Sequence, residues 1–373
     1  MSAVPQVATA APPSPAAATP LAAYLAAGKP EMQLLPYRGA LTPATLSEYS
    51  SELTALTGSA GIYDLGYMAF LRISGNDRVR WLNGMVTNTV QSLEEGHSNY
   101  SFLLNAQGRI LGDATIYHFS DHLLLGTDRS QIARLAAHLD HFIIMDEVEL
   151  HELDASTTVL GIAGPQATEI LGKLGLTPPD ENAFAQVQVA GSVVTLVQVY
   201  GPVVPQFGLW VPSASLPSIW SALVVAGAIP CGVNSIEALR VLSAIPLYGV
   251  DILERHLVQE TAQTRALNFN KGCYLGQEIV ERIRSRATIH RTLRQFSLTG
   301  NAPAIEPGQT APLNAEGTER NPVGELTSAA RYQLPGFTGT LGLGFIRTEV
   351  LERKAPITYS EGTAAPLDAP PTI

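Results

Sequence analysis

Along the chain, short runs of apolar residues alternate with stretches in which apolar positions recur every three or four residues. Phe70-Leu71-Arg72-Ile73 reads as a strand and Ser74-Gly75-Asn76-Asp77 as the turn after it, with Asp77 as cap of a helix containing Arg80, Trp81 and Leu82. Residues 101–104 and 114–119 have strand character and are separated by Asn105-Ala106-Gln107-Gly108, a turn composition; residues 122–125 continue the pattern. Ile132, Leu135, Ala136 and Leu139 stand at helical spacing. A second block of this kind covers about 157–248. It has Gly164-Pro165 opening a helix, a strand over 193–199 and a helix around 215–226. From Arg291 onward helical periodicity fades, and Gly, Pro and Thr punctuate short runs such as 324–328 and 341–346, the pattern of a small β-barrel or sandwich. Strand pairs interleaved with helices predict an α+β architecture with mainly antiparallel sheets.

The two ends differ from this middle. Residues 1–33 are dominated by Ala and Pro and have few large side chains to bury, and 362–373 look similar; both read as tails. That leaves a two-lobed region over 34–286 and a barrel over 287–361, consistent with the two or three lobes that 373 residues allow. Hydrophobic residues make up 46% and charged residues 15%, a core-forming composition that excludes a wholly disordered chain. The net charge of −10 disfavours broad binding to nucleic acid or anionic membrane, and no apolar run is long enough to span a bilayer. Two cysteines, Cys231 and Cys273, exclude a disulfide framework and any zinc or iron–sulfur site built from this chain's thiolates alone. The first charged side chain is Lys29, so the start lacks the basic region of a secretory signal, and the expected location is the cytoplasm.

The stretch richest in chemistry is 268–286, NFNKGCYLGQEIVERIRSR. Lys271-Gly272-Cys273-Tyr274-Leu275-Gly276 is tight backbone, and Gln277 onward is helical. This places Cys273 just before a helix N-terminus, where the macrodipole and Lys271 both favour thiolate over thiol. Cys231, in Ile229-Pro230-Cys231-Gly232, has no such neighbours and reads as core. His138 and His141 lie three apart with no third ligand in view. Gly339-Thr340-Leu341-Gly342-Leu343-Gly344 falls in the barrel-like region and reads as turn and strand backbone.

The octapeptide KGCYLGQE at 271–278 closely resembles the motif of the YgfZ-type folate-binding proteins, relatives of the glycine cleavage T-protein, an aminomethyltransferase. MVTNTVQSLEEG at 85–96 with Tyr100, LNAQGRILGD at 104–113, GIAGPQ at 161–166, ALRVLSAIPLYGVD at 238–251, NPVGELTS at 321–328 and LGLGFI at 341–346 carry the resemblance through nearly all of residues 40–360. It implies a three-lobed ring of the T-protein type: two mixed α/β lobes and a C-terminal β-barrel around a hole for tetrahydrofolate or a one-carbon derivative. It also implies a role in assembly or repair of iron–sulfur clusters in client enzymes, radical-SAM tRNA-modifying enzymes among them, together with cluster carriers and with Cys273 as the thiol that matters. The rival within the superfamily is aminomethyl transfer from a lipoyl carrier to folate.

The acids that aminomethyl transfer needs are thinned here. A T-protein loop with paired acids matches Leu111-Gly112-Asp113, where only Asp113 remains; the T-protein glutamates align near Val204 and Gly208; and LRLE becomes Leu239-Arg240-Val241-Leu242. On the resemblance, Asp113 faces the folate amine, Arg240 holds the folate glutamate by its bidentate fork, Tyr248 and Phe269 pack on its rings, and Thr127 presents backbone to it. Lys271, Arg282, Arg284, Arg286, Arg291 and Arg294 against Glu278 and Glu281 make either a local basic patch for a polyglutamate tail or acidic partner, or a solvated helix face with internal ion pairs.

Overall fold

The computed structural model describes residues 16–286, 289–301, 303, 305, 308–315 and 321–373. The first fifteen residues of the expected N-terminal tail lie outside these. The remainder of that expectation is corrected. Helix α1 (Pro20–Gly28) starts with Pro at its first position, where a missing N–H costs nothing, and Thr19 caps it by accepting the Ala22 N–H at 3.1 Å. Leu21 and Ala22 are fully buried, and Leu21 joins the core of the second lobe. The Ala- and Pro-rich composition of the whole segment hid this helix, whose residues after Pro20 fall within the nine proline-free positions between Pro20 and Pro30.

After the hairpin β1 (Leu34–Tyr37) and β2 (Ala40–Pro43) come α2 (Tyr49–Gly58) and β3 (Gly61–Asp64). The chain then builds a first lobe: β4 (Met68–Ser74), α3 (Arg78–Asn83), β5 (Ser98–Leu104), β6 (Ile110–His118), β7 (Leu123–Asp128), α4 (Ile132–Asp140) and β8 (Glu149–Glu152). These strands form an antiparallel sheet in the order β5-β6-β7-β4-β8. Ile132, Leu135 and Leu139 bury one face of α4 on it, as the spacing predicts. Asp77 stands at the N-cap of α3 but makes no capping bond there; its carboxylate accepts the Glu147 N–H at 2.9 Å and pairs with Arg80.

The second lobe follows: β9 (Thr157–Ala163), α5 (Ala167–Lys173), β10 (Phe184–Val189), β11 (Ser192–Val199), β12 (Gln206–Pro212), α6 (Leu216–Val225), β13 (Ile229–Cys231) and α7 (Val233–Leu242). Its sheet runs β10-β11-β12-β9-β3-β13, antiparallel except for the β13–β3 pair. Because β3 precedes the first lobe and joins the second, the two lobes interleave along the chain. Helix α8 (Gln277–Arg286) leads to a closed barrel of β14 (Arg291–Leu298), β15 (Ala311–Ala315), β16 (Gly324–Leu334), β17 (Phe337–Arg347), β18 (Ile357–Tyr359) and β19 (Gly362–Leu367). The expected C-terminal tail is therefore also corrected: its first half pairs with β14, from Leu298↔Ala364 to Gln295↔Leu367.

Among its bonds to the rest of the chain, the barrel is joined to α7. Gln295 Nε2 donates to the Val241 and Leu242 carbonyls at 2.6 and 3.0 Å, and the Tyr332 hydroxyl donates to the Ala238 carbonyl at 2.7 Å. The Leu242 carbonyl is one that a helix C-terminus leaves without an internal partner.

Candidate functional site

A cavity of about 250 Å³ lies between the two interleaved lobes, walled by Tyr100 and Asp113 of the first sheet, Gly208 and Trp210 of the second, and α7 with residues 245–247; none of the described barrel residues lines it. Its walls are rich in aromatic rings, among them Tyr37, Tyr63, Tyr67 and Tyr117. Trp210 and Tyr117 meet edge to face at 4.7 Å. A concave, mostly apolar wall with a few converging polar groups is the usual form of a small-molecule site.

Among the described lining residues, Asp113 is the one carboxylate. Its Oδ2 accepts the Tyr100 hydroxyl at 2.7 Å and its Oδ1 accepts Gln131 Nε2 at 2.9 Å. The same Gln131 nitrogen donates to Asp128 at 3.0 Å, and Asp128 accepts from Arg38 Nε at 2.9 Å. Burial and the adjoining Asp113 carboxylate push the Tyr100 phenol well above its ordinary pKa, so it stays a donor. The network orients Asp113 and spreads its charge over neutral donors. Thr127 does not line the cavity; its hydroxyl donates to the Asp113 carbonyl at 2.8 Å and so braces Asp113 from behind.

Arg240 lines the cavity but has internal partners for its donors. Nε and Nη2 clasp Glu237 at 2.9–3.0 Å, Nη1 reaches Asp251 at 2.6 Å and the Ile245 carbonyl at 2.9 Å, and Nη2 also donates to Ser328 at 2.9 Å. The expectation that this fork holds a ligand carboxylate is corrected: its geometry is spent on joining α7, the 245–251 turn and β16. Arg265 lines the cavity between the rings of Tyr100 at 4.0 Å and Tyr200 at 4.3 Å. Its Nε donates to Gln263, and its terminal nitrogens make no hydrogen bond with the described residues.

Three further expected residues stand away from the cavity lining. Tyr248 is buried beside it, accepting from Arg134 at 2.8 Å and donating to the Ile110 carbonyl at 3.2 Å. Phe269 is 38% exposed under the Arg284 guanidinium, a surface contact rather than a ligand wall. Lys271 was expected to support the Cys273 thiolate. Instead its ammonium donates to the Asn83, Val86 and Asn88 carbonyls, each at 2.6 Å. Burial pulls its pKa down to about 7, but three convergent acceptors match the three donors of the charged form, which a neutral amine cannot satisfy together.

Cys273 itself is a free, exposed thiol, four residues before α8 and outside the cavity lining; Cys231 is free and buried. Gly276 is required where it stands: its φ of +81° suits glycine, and a Cβ there would come within 2.7 Å of the Asn105 carbonyl oxygen. Three of the six basic residues of this stretch are ion-paired, Arg282 with Glu278 at 2.7 Å, Arg284 with Glu281 at 3.5 Å and Arg291 with Glu260 at 2.9 Å, and the side chain of Arg286 lies outside the described residues. No cluster of three or more His, Cys, Asp or Glu among the described residues is placed to hold a metal, so His138 and His141 gain no third ligand.

Sequence reasoning missed Arg265, Tyr200, Arg38 and Gln131. No local motif marks them: Arg265 and Tyr200 meet only through packing between lobes, and Gln131 and Arg38 act through Asp128, which is remote from Asp113 and from Arg38 in sequence. Gly208 offers a direct probe of the cavity. A Cβ there meets only the Val199 and Val159 methyls and Trp210 Nε1, at 3.7–4.0 Å. Gly208→Leu is expected to leave the melting temperature within a few degrees of wild type while filling the cavity. Isothermal calorimetry with 5-formyltetrahydrofolate, of the ligand class that the sequence resemblance implies, checks this, an affinity loss of tenfold or more being expected; unchanged affinity with an intact fold would remove Gly208 from the binding surface.

Residues 37–271 match the family model described as the GCVT N-terminal domain. A putative chloroplastic transferase of Arabidopsis thaliana is 26% identical over 318 residues, covering 83% of this chain and 70% of that protein. An aminomethyltransferase of Exiguobacterium sibiricum is 26% identical over 312 residues, covering 81% and 86%. One from Anoxybacillus flavithermus is 30% identical over 251 residues, covering 64% and 68%. The crystal structure of glycine cleavage system aminomethyltransferase T from Bartonella henselae superposes with a TM-score of 0.82 at 19% identity, covering 95% of this chain and 97% of that one, which shows the fold. No helix among the described residues is long and apolar enough to cross a membrane.

Proposed function

The chain belongs to the GCVT N-terminal domain family, and from that premise we propose that it is a tetrahydrofolate-binding protein of the T-protein superfamily serving iron–sulfur cluster assembly or repair in client enzymes. The observation that carries this reading is the separation of two chemistries. The cavity holds a single carboxylate, Asp113, while the accessible thiol, Cys273, stands outside it. A volume of about 250 Å³ falls near the lower end for small-molecule sites, ~300 Å³, which suits a pterin bicycle with the rest of the ligand reaching outward. The residues fit that group. Flat rings offer stacking faces, Asp113 accepts N–H groups or faces the reacting amine, and the open donors of Arg265 suit a carboxylate or carbonyl of the ligand.

A thiolate is both a soft metal ligand and a nucleophile for disulfide exchange. One thiolate supplies about a quarter of the ligands a cluster requires, so the cluster is a transient cargo whose other ligands come from a client enzyme, a carrier or a small thiol. An exposed free thiol also fits a reducing compartment such as the cytoplasm. The client enzymes we envisage include radical-SAM enzymes that modify tRNA, reached through protein contact rather than by stable nucleic-acid binding.

The test pairs two measurements. Calorimetry with tetrahydrofolate or its 5-formyl derivative is expected to show binding, and saturating ligand to raise the melting temperature. In cells lacking the endogenous factor, Cys273→Ala is expected to lose rescue of an iron–sulfur enzyme defect while its melting temperature stays unchanged. Full rescue by that variant sinks the thiol role; no binding at millimolar folate sinks the cavity role.

A second reading, aminomethyl transfer to folate, draws on the presence of Asp113 in the cavity and on the relatives named as aminomethyltransferases. Robust methylenetetrahydrofolate formation from an aminomethyl-lipoyl carrier would put it first.

A further inference from the structure

The loop that bears Cys273 and the wall of the cavity are joined by a short chain of strong hydrogen bonds. Lys271, two residues before the thiol, sends its three N–H donors into the carbonyls of Asn83, Val86 and Asn88. These acceptors are the last residue of α3 and two residues of the segment that follows it. Asn88 then turns the connection toward the cavity: its side-chain Nδ2 donates to the Tyr100 carbonyl at 3.1 Å and to the Arg265 carbonyl at 3.0 Å. Next to it, the Thr89 carbonyl accepts Asn99 Nδ2 at 2.5 Å. Asn99, Tyr100 and Arg265 all line the cavity, and Tyr100 holds Asp113. The Cys273 loop is pinned to the same segment at two further points, Leu275 N to the Gly84 carbonyl at 2.9 Å and Asn268 N to the Thr87 carbonyl at 3.2 Å.

This arrangement is unusual for a surface lysine, which ordinarily keeps its ammonium in water. Holding it on three backbone carbonyls costs desolvation and gains nothing for the protein surface. What it does is fix the shape of one loop relative to another. We propose that Lys271 is a positioning residue that couples the cavity to the thiol: a ligand that holds Tyr100 and Arg265 fixes Asn88, Asn88 fixes the acceptors of Lys271, and Lys271 sets the exposure of Cys273. The inference rests on the folate reading of the cavity and adds to it a direction of communication. By linkage, the thiol loop must bias the ligand as strongly as the ligand biases the loop.

The chain carries two cysteines, and only Cys273 is exposed, so alkylation by iodoacetamide followed by mass spectrometry reports on this loop directly. The probe is 5-formyltetrahydrofolate, with its binding measured separately by calorimetry on each protein. For the wild type, saturating ligand is expected to change the alkylation rate of Cys273 by about fivefold or more, the lower range of common coupling. Asn88→Ala keeps the backbone carbonyl that Lys271 uses but removes the amide that reaches Tyr100 and Arg265. It is expected to bind ligand and to show the same alkylation rate with and without it. Lys271→Met is expected to do the same.

Wild-type binding without any change in alkylation overturns the coupling and leaves the folate reading standing. A coupling retained in full by Asn88→Ala overturns the route, whether or not Lys271→Met folds. Absence of calorimetric heat for the wild type removes both the coupling and the folate reading.

Discussion

Arg240→Ala is expected to destabilise the fold by about 3–5 kcal/mol, the range for breaking a buried ion pair by removing one partner. Asp251 is fully buried, and besides Arg240 its carboxylate accepts from the Leu247 N–H and the Thr327 and Ser328 hydroxyls. Burial opposes the charge on Arg240, but Asp251 and Glu237 outweigh it and raise the guanidinium above its ordinary pKa. Without Arg240, Asp251 remains as a buried charge with neutral partners, and the contact between α7 and β16 loses its central bond. Urea denaturation followed by far-ultraviolet circular dichroism checks the magnitude. A loss under 1 kcal/mol would show that the residue is dispensable to the fold and reopen a ligand-holding role. The expected result also separates Arg240 from Arg265, whose replacement by Met removes no comparable internal bond and is expected to act on ligand affinity.

The second large effect concerns acid. His256 is fully buried, its ring stacked on Phe345 with centroids 4.0 Å apart. Its Nδ1 accepts the Leu253 N–H at 3.0 Å, which places the ring proton on Nε2 and leaves no room for a second one without losing that bond. Burial first, then Arg291, Arg255 and Arg109, pull its pKa down to about 3, against a smaller opposing pull from Asp251. In the unfolded chain the group titrates near 6.5. The unfolded state therefore binds the extra proton between these values, and stability held above about pH 6.5 is lost as pH falls toward 3. The expected loss between pH 7.5 and 4.5 is on the order of 2–3 kcal/mol from this group. His256→Asn keeps an acceptor for Leu253 without the titration and is expected to flatten the pH dependence by that amount. Equal slopes for the two proteins, in urea melts across that range, would assign the acid sensitivity elsewhere.

The parts of the fold readable from the sequence are those whose periodicity is local. Strand β4, the α4 face of Ile132, Leu135 and Leu139, and the barrel beginning at Arg291 all stand where the pattern puts them. The helix α1 and the strand β19 were not readable, since each relies on partners remote in sequence: Leu21 on the second-lobe core and residues 364–367 on β14. The same division holds for the candidate site. Asp113 sits in a recognisable stretch, on strand β6, and reaches the cavity. Arg240 lies in an equally recognisable stretch, but its neighbours across three elements consume its donors, and nothing in a linear motif records them. Arg265 has the opposite history: it has no motif around it, yet two tyrosines from different lobes frame it.

The interleaving of the lobes sets a schedule for synthesis. The first sheet uses residues 68–152 alone, so it is complete once that uninterrupted stretch has left the ribosome. The second sheet cannot be: β3 emerges before that lobe and must wait at an open edge until β9 arrives on one side and, after the whole of α6, β13 on the other. The pocket wall shared by the two sheets is thus among the late products of translation, and Arg265 is made after every strand of both sheets.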